Sequence, residues 1–367
     1  MKIVDVDSFM VEVPLTDDQV GKRMYNSTGV TRVRTDAGIT GYGFSDRPID
    51  QDRARLILMG ADPFTIERHL ADGLADGLAE YGAENALWDI VGKAAGLPLH
   101  KLWGAYRDRI LLYLTCVWPG AADQTDVTPR EQAEAVLRYA ERGYRAVKIR
   151  IWRPDPMEDV EAVRLIRESV GGRDRMEVML DRTGAGPGEA MDYNTALRAA
   201  RALEQVDATW LEEPFVRGDI ELHARLRAET DIPITGGEHQ PPDVYPPYLR
   251  GESFDIVQPH CAGVLSTLRK IAGMIEQFGV ECIFHGSHGM NLVGSLQLSA
   301  TIRTCRMQEH VFTPPPLTPE ESWAPLNVLV RTDELFEVED GYVKIPSAPG
   351  LGIEVDEEAI DHYRVDG

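Results

Sequence analysis

Between residues 111 and 309, short apolar runs alternate with amphipathic stretches at a steady rhythm. Eight runs read as strands: 111–118 (LLYLTCVW), 146–151 (AVKIRI), 177–181 (EVMLD), 208–212 (ATWLE), 233–237 (PITGG), 254–258 (FDIVQ), 281–285 (ECIFH) and 305–309 (CRMQE). The stretches TPREQAEAVLRYAERG, YNTALRAARALEQV and STLRKIAGMIEQFG between them space their apolar residues as helices do. Strands alternating with helices of this length predict parallel βα units and an α/β fold. Eight such units predict a closed barrel rather than an open sheet.

The flanks follow other rules. KIVDVDSFMVEVPL and TGVTRVRTDAGITGYGF alternate as strands, while TDDQVGKRMYNST between them lacks apolar periodicity and reads as a mobile loop. Ala83, Ala86, Leu87, Ile90, Val91 and Ala94 recur at helical spacing, and Gly96 with Pro98 stops that helix. The tail, including LFEVEDGYVKIPSAPGLGIEV, returns to short strands and loops. It is expected to pack against the N-terminal segment, giving one α+β domain from 1–110 plus 320–367 and a barrel from 111–319.

Composition narrows the function. The 367 residues are 43% hydrophobic and 27% charged, enough apolar material for a large core. A net charge of −22 argues against nucleic acid and anionic membranes, which call for basic patches. The four cysteines form no CxxC pair or disulfide framework, as expected of a cytoplasmic protein. The opening MKIVDVDSFMVEVPL lacks the order of a signal peptide, and no apolar run approaches the ~20 residues of a membrane span.

Polar residues gather at the strand ends: Lys148, Arg150, Asp181, Glu212, Glu238, His260, His285 and Glu309. From Asp181 onward they recur about one βα unit apart, which returns each to the same barrel rim. Asp181, Glu212 and Glu238 converge from consecutive strands and need a compensating cation; hard oxygen donors in that number suit Mg2+. The alternative is that each acid caps a helix or pairs on the rim. Glu213, one residue on from Glu212, faces the other way. Lys148 and Arg150 share a face, so Lys148 beside a second cation is expected to have a lowered pKa and act as a base, while Arg150 grips a carboxylate. An interior ion pair with the neighbouring acids is the alternative. His285 is placed to act as acid or base; the alternative is a structural histidine. Glu309, if protonated, donates to an enolate oxygen; otherwise it caps a helix.

ENALWDIVGKAAGLPLHKLWGA, AVKIR, VMLD, WLEEP, GGEHQ, DIVQP, IFHGS and QEH, in this order, resemble the enolase superfamily. Within it the chain is similar to the mandelate racemase/muconate lactonizing enzyme-like acid-sugar dehydratases, and GGEHQ and IFHGSHG to rhamnonate-type ones. The resemblance implies a modified TIM barrel, (β/α)7β, with an α+β capping domain built from both chain ends. It also implies a homo-oligomer in which Mg2+ on Asp181, Glu212 and Glu238 binds the carboxylate of a small sugar acid. The implied reaction removes the α-proton, by Lys148 or His285, and expels the β-hydroxyl to give a 2-keto-3-deoxy acid. Three positions depart from the family pattern: Arg150 replaces a lysine, His260 an aspartate, and Thr183 an asparagine. These leave open a racemase or epimerase, and a metal-binding member with impaired catalysis. Arg23, Tyr25, Asn26 and Arg47 in the capping segment are candidate substrate contacts by position, alongside Arg150 and His260.

Overall fold

A computed structural model of the chain describes residues 1–22, 24–78, 82–116, 127–151, 153–184, 190–260, 264–286, 289–313, 317–332 and 335–365. Strands β1 (Ile3–Glu12), β2 (Ser27–Thr35) and β3 (Thr40–Ser45) form an antiparallel meander. Helix Ala83–Ala95 lies against β3 and ends at Gly96, whose φ of 68° suits glycine at a helix terminus. Gly43 lets the backbones meet, because a Cβ there would collide with the Gly82 carbonyl. Val6, Val33, Ala86, Leu87 and Ile90 make the apolar layer between sheet and helix.

Residues 16–28 are not merely a loop. Asp17–Gly21 is a short helix closed by a capping box, in which Thr16 accepts from the Gln19 amide and Gln19 reaches back. Five residues are too few to show a helical period.

The barrel strands are β4 (Arg109–Cys116), β5 (Ala146–Arg150), β6 (Glu177–Asp181), β7 (Trp210–Glu212), β8 (Ile234–Gly236), β9 (Ile256–Val257), β10 (Glu281–Cys282) and β11 (Met307–Thr313). They pair in parallel from β4 through β10, and β11 returns to pair with β4. At the seam between β10 and β11, the Gly286 amide donates to Glu309 Oε2 at 2.7 Å. A Cβ on Gly286 would fall 2.6 Å from the Glu309 carbonyl oxygen, so the two segments touch. One helix fills each of the seven connections, giving (β/α)7β.

Strand alternation builds the floor of the site. Tyr113, Ala146, Met179, Trp210, Ile256, Ile283 and Met307 fill the interior with apolar side chains. Two residues further along those strands stand Thr115, Lys148, Asp181, Glu212, Gln258, His285 and Glu309, all buried. The upper layer is thus polar because the lower one already supplies the packing.

The tail divides between the two sheets. β12 (Val338–Glu339) and β13 (Tyr342–Lys344) form a hairpin on the start of β4, whereas β14 (Arg364–Val365) pairs with β1. No helix among the described residues is long and apolar enough to cross a membrane.

Candidate active site at the barrel rim

Lys148 is the hub. Its Nζ lies 2.7 Å from Glu212 Oε1, 2.8 Å from Glu309 Oε1 and 3.4 Å from Asp181 Oδ2, and all four side chains are fully buried. Burial alone would lower the Lys148 pKa, but Glu212, Glu309 and Asp181 override it and hold the ammonium well above its usual value. The lowered pKa expected from Arg150 is therefore corrected: the carboxylates outweigh that one cation. Arg150 turns to Asp181 Oδ2 at 3.0 Å and to the Thr183 hydroxyl, the interior ion pair that was its alternative.

Glu309 is likewise not a donor. Burial raises its pKa, but Lys148 and His285 bring it well below the ordinary carboxylate range. It accepts from Thr115 and from the Gly286 amide. Glu212 takes Trp210 Nε1 at 3.0 Å and Gln258 Nε2 at 3.1 Å on its second oxygen. Burial and Asp181 push the Glu212 pKa up, a sign that negative charge is in surplus here.

Glu238 reaches the mouth by a break in alternation. Thr235 sits beside Glu212 in the ladder and Ile234 faces the outer core, so a regular β8 would aim Glu238 outward. Gly237, at φ 98°, turns the chain instead. Glu238 then meets Arg217 and lies with its Oε2 2.6 Å from His285 Nδ1. Arg217 also holds Glu213 at 2.6 Å, on the far side from the mouth as alternation predicts. Thr183, Glu213 and His239 follow β6, β7 and β8 with φ of 53°, 45° and 51°, a strained setting that clusters at functional sites.

Glu213 and Arg217 cancel. Among the described residues, Asp181, Glu212, Glu238 and Glu309 then face the two remaining cations, Lys148 and Arg150, a surplus of two negative charges. Asp181 Oδ2 and Glu238 Oε2 are buried without a hydrogen bond. Glu212, Glu238 and His285 offer ligand atoms within 4.8 Å of one another. An oxygen-rich set with that surplus fits a hard divalent cation.

His260 packs on His285, ring centroids 5.0 Å apart, and His239 adds a third ring at 4.1 Å from His260 and 4.9 Å from His285. Burial and the His285 ring lower the pKa of His239 to about 4 and of His260 to about 3, so both are neutral. A cavity of about 720 Å³ opens beside these two rings, also lined by Asp46, Gln240, Tyr245 and Asn291.

The capping-segment candidates among the described residues have partners of their own. Tyr25 stacks on Trp323 at 4.4 Å, and Trp323 in turn covers Gly289 beyond β10. Asn26 donates to the Val13 carbonyl, and the Arg47 carbonyl accepts from Ser45. Arg23 lies outside the described residues. Sequence reasoning passed over Thr115, Gln258, Arg217 and His239. Alternation from Tyr113 and Ile256 would have found the first two; Arg217 and His239 follow strand ends, where no period applies.

Residues 130–359 match the family described as enolase C-terminal domain-like. The chain is 27% identical to an arabinonate dehydratase of Saccharolobus solfataricus over 77% of its own length and 71% of the relative's. It is 28% identical to a 3,6-anhydro-alpha-L-galactonate cycloisomerase of Streptomyces coelicolor over 99% of both. It superposes on D-glucarate dehydratase from Agrobacterium tumefaciens, solved with magnesium, with a TM-score of 0.81, 25% identity and full coverage of both chains. With the barrel, the rim constellation and the matched span in agreement, the chain belongs to the enolase C-terminal domain-like family.

Proposed function

We propose that this chain is a Mg2+-dependent dehydratase that converts a sugar acid to a 2-keto-3-deoxy acid. The observation that carries the reading is a surplus of two negative charges at a site where Glu212, Glu238 and His285 offer ligand atoms within 4.8 Å of one another. Asp181, Glu212 and Glu238 would hold the metal. When bound, Mg2+ draws charge from the substrate carboxylate and acidifies the α-proton.

The chain's own groups do the rest. His285 presents Nδ1 to Glu238 and to Glu309 at 3.1 Å, which fixes the ring and leaves Nε2 for substrate. Nε2 takes the α-proton and returns it to the β-hydroxyl, which departs as water. The electron pair of the broken C–H bond becomes the new double bond, and the resulting enol rearranges to the 2-keto acid. Lys148 stays protonated and supplies fixed positive charge beside the developing anion. Arg150 steadies Asp181.

Racemisation or epimerisation is the second reading. Lys148 and His285 flank Glu309, at 2.8 and 3.1 Å, and this reading requires Lys148 to give up the proton that its carboxylate neighbours hold. Incubating the chain and Mg2+ with a panel of aldonic and aldaric acids in D2O separates the two. Keto-acid formation that is lost in His285→Asn supports dehydration. Deuterium at the α-carbon without keto acid supports epimerisation. Mg2+ binding with neither outcome overturns both.

A further inference from the structure

Three imidazoles meet at the rim where the carboxylate site requires one. His239, His260 and His285 bring ring nitrogens within 4.8 Å of one another, although they come from the ends of three different strands. His260 Nδ1 is buried without a hydrogen bond. His239 adopts a left-handed backbone, φ 51°, in the position that puts its ring 4.1 Å from that of His260. His239 and His260 also line the 720 Å³ cavity, which gives the cluster an open side. Asp46 on the cavity wall adds a negative charge.

We propose that His239, His260 and His285 form a second cation site, taking one borderline-soft transition ion such as Zn2+ and leaving a coordination position open to the cavity. Donor chemistry separates the two sites. Imidazole nitrogen suits Zn2+, Ni2+ or Co2+, whereas carboxylate oxygen suits Mg2+. Three histidines with one open position are a complete set for zinc. Glu238 Oε2 and Glu309 Oε2 lie 2.6 and 3.1 Å from His285 Nδ1, the outer-shell carboxylates that orient a ligating histidine through its other nitrogen. The consequence is inhibition: an ion on the imidazoles takes the His285 lone pair, so Zn2+ stops turnover without displacing Mg2+. That consequence rests on the dehydratase reading; the binding does not.

The test is equilibrium dialysis of the whole chain against Zn2+ in saturating Mg2+, with metal content read by mass spectrometry. One Zn2+ per chain is expected to be retained. His239→Ala and His260→Ala are each expected to weaken retention by about a hundredfold, since even outer-shell partners are worth 10–100-fold. Mg2+ affinity, measured by calorimetry in the same variants, stays within a few-fold and shows that they fold. Zinc displaced one-for-one by Mg2+, or retained unchanged in the double variant, overturns the site. Zinc retention by a chain with no keto-acid activity upholds the site and sinks the dehydratase reading; activity that zinc leaves untouched at full occupancy overturns the inhibition.

Discussion

The Lys148 ammonium lies 2.7 Å from Glu212 Oε1, and neither side chain is reachable by solvent. A charge placed there by itself would be expelled or neutralised; it persists because Glu309 and Asp181 complete its surroundings.

Lys148→Met strips the shared cation from three buried carboxylates. Breaking a buried ion pair in this way costs about 3–5 kcal/mol. Urea unfolding in EDTA is expected to show that loss, and saturating Mg2+ to restore much of it. A variant as stable as its parent in EDTA contradicts the charge arrangement.

Gln258 Nε2 and Trp210 Nε1 share one oxygen of Glu212, leaving the other to Lys148. Gln258→Met keeps the volume and removes a donor. Calorimetry is expected to show Mg2+ affinity weakened by about 10–100-fold, the range for groups that orient a metal ligand. Unchanged affinity means that Glu212 needs no such orientation.

Asp159 is buried against Arg153, which also bonds the Val127 carbonyl and Gln132. Burial pushes its carboxyl from 3.8 up to about 7, despite Arg153. Between those values the folded chain keeps a proton that the unfolded chain has released. Stability therefore falls as pH rises across that window and levels off above it. Asp159→Asn is expected to flatten this part of the stability profile, followed by urea unfolding at successive pH values; an unaltered slope assigns the proton to another group.

Gly286 occupies the β10–β11 seam, where a side chain has no room against Glu309. Gly286→Ala is expected to cost about 1–3 kcal/mol through overpacking. Keto-acid turnover should fall further than stability alone explains, because relieving the clash shifts the residue 286 amide away from Glu309. A variant with full activity and unchanged melting shows that the seam can yield.

The barrel was legible because its signals are periodic. β6 stands at Glu177–Asp181, as EVMLD predicts, and Lys148, Asp181, Glu212, His285 and Glu309 share the rim that their spacing implied. What alternation cannot express was hidden. Glu238 reaches the rim only because Gly237 interrupts β8, and its arrival there was read from spacing alone. The helix Asp17–Gly21 left no period, although Thr16 and Gln19 spell a capping box. The protonation of Lys148 depends on distances to three carboxylates, which strand order does not contain. The hairpin β12–β13 joined the barrel sheet because β4 extends below its parallel partners and offers a free edge at Arg109–Leu111.

Arg364–Val365 runs beside Met10–Val11, and Arg364 reaches Asp7 at 2.8 Å. β1 thus waits for this edge partner until every barrel strand has been synthesised. Joining segments so distant in sequence makes this a late folding step. The antiparallel meander is latched by two strands far apart in sequence, and fraying at one releases the other.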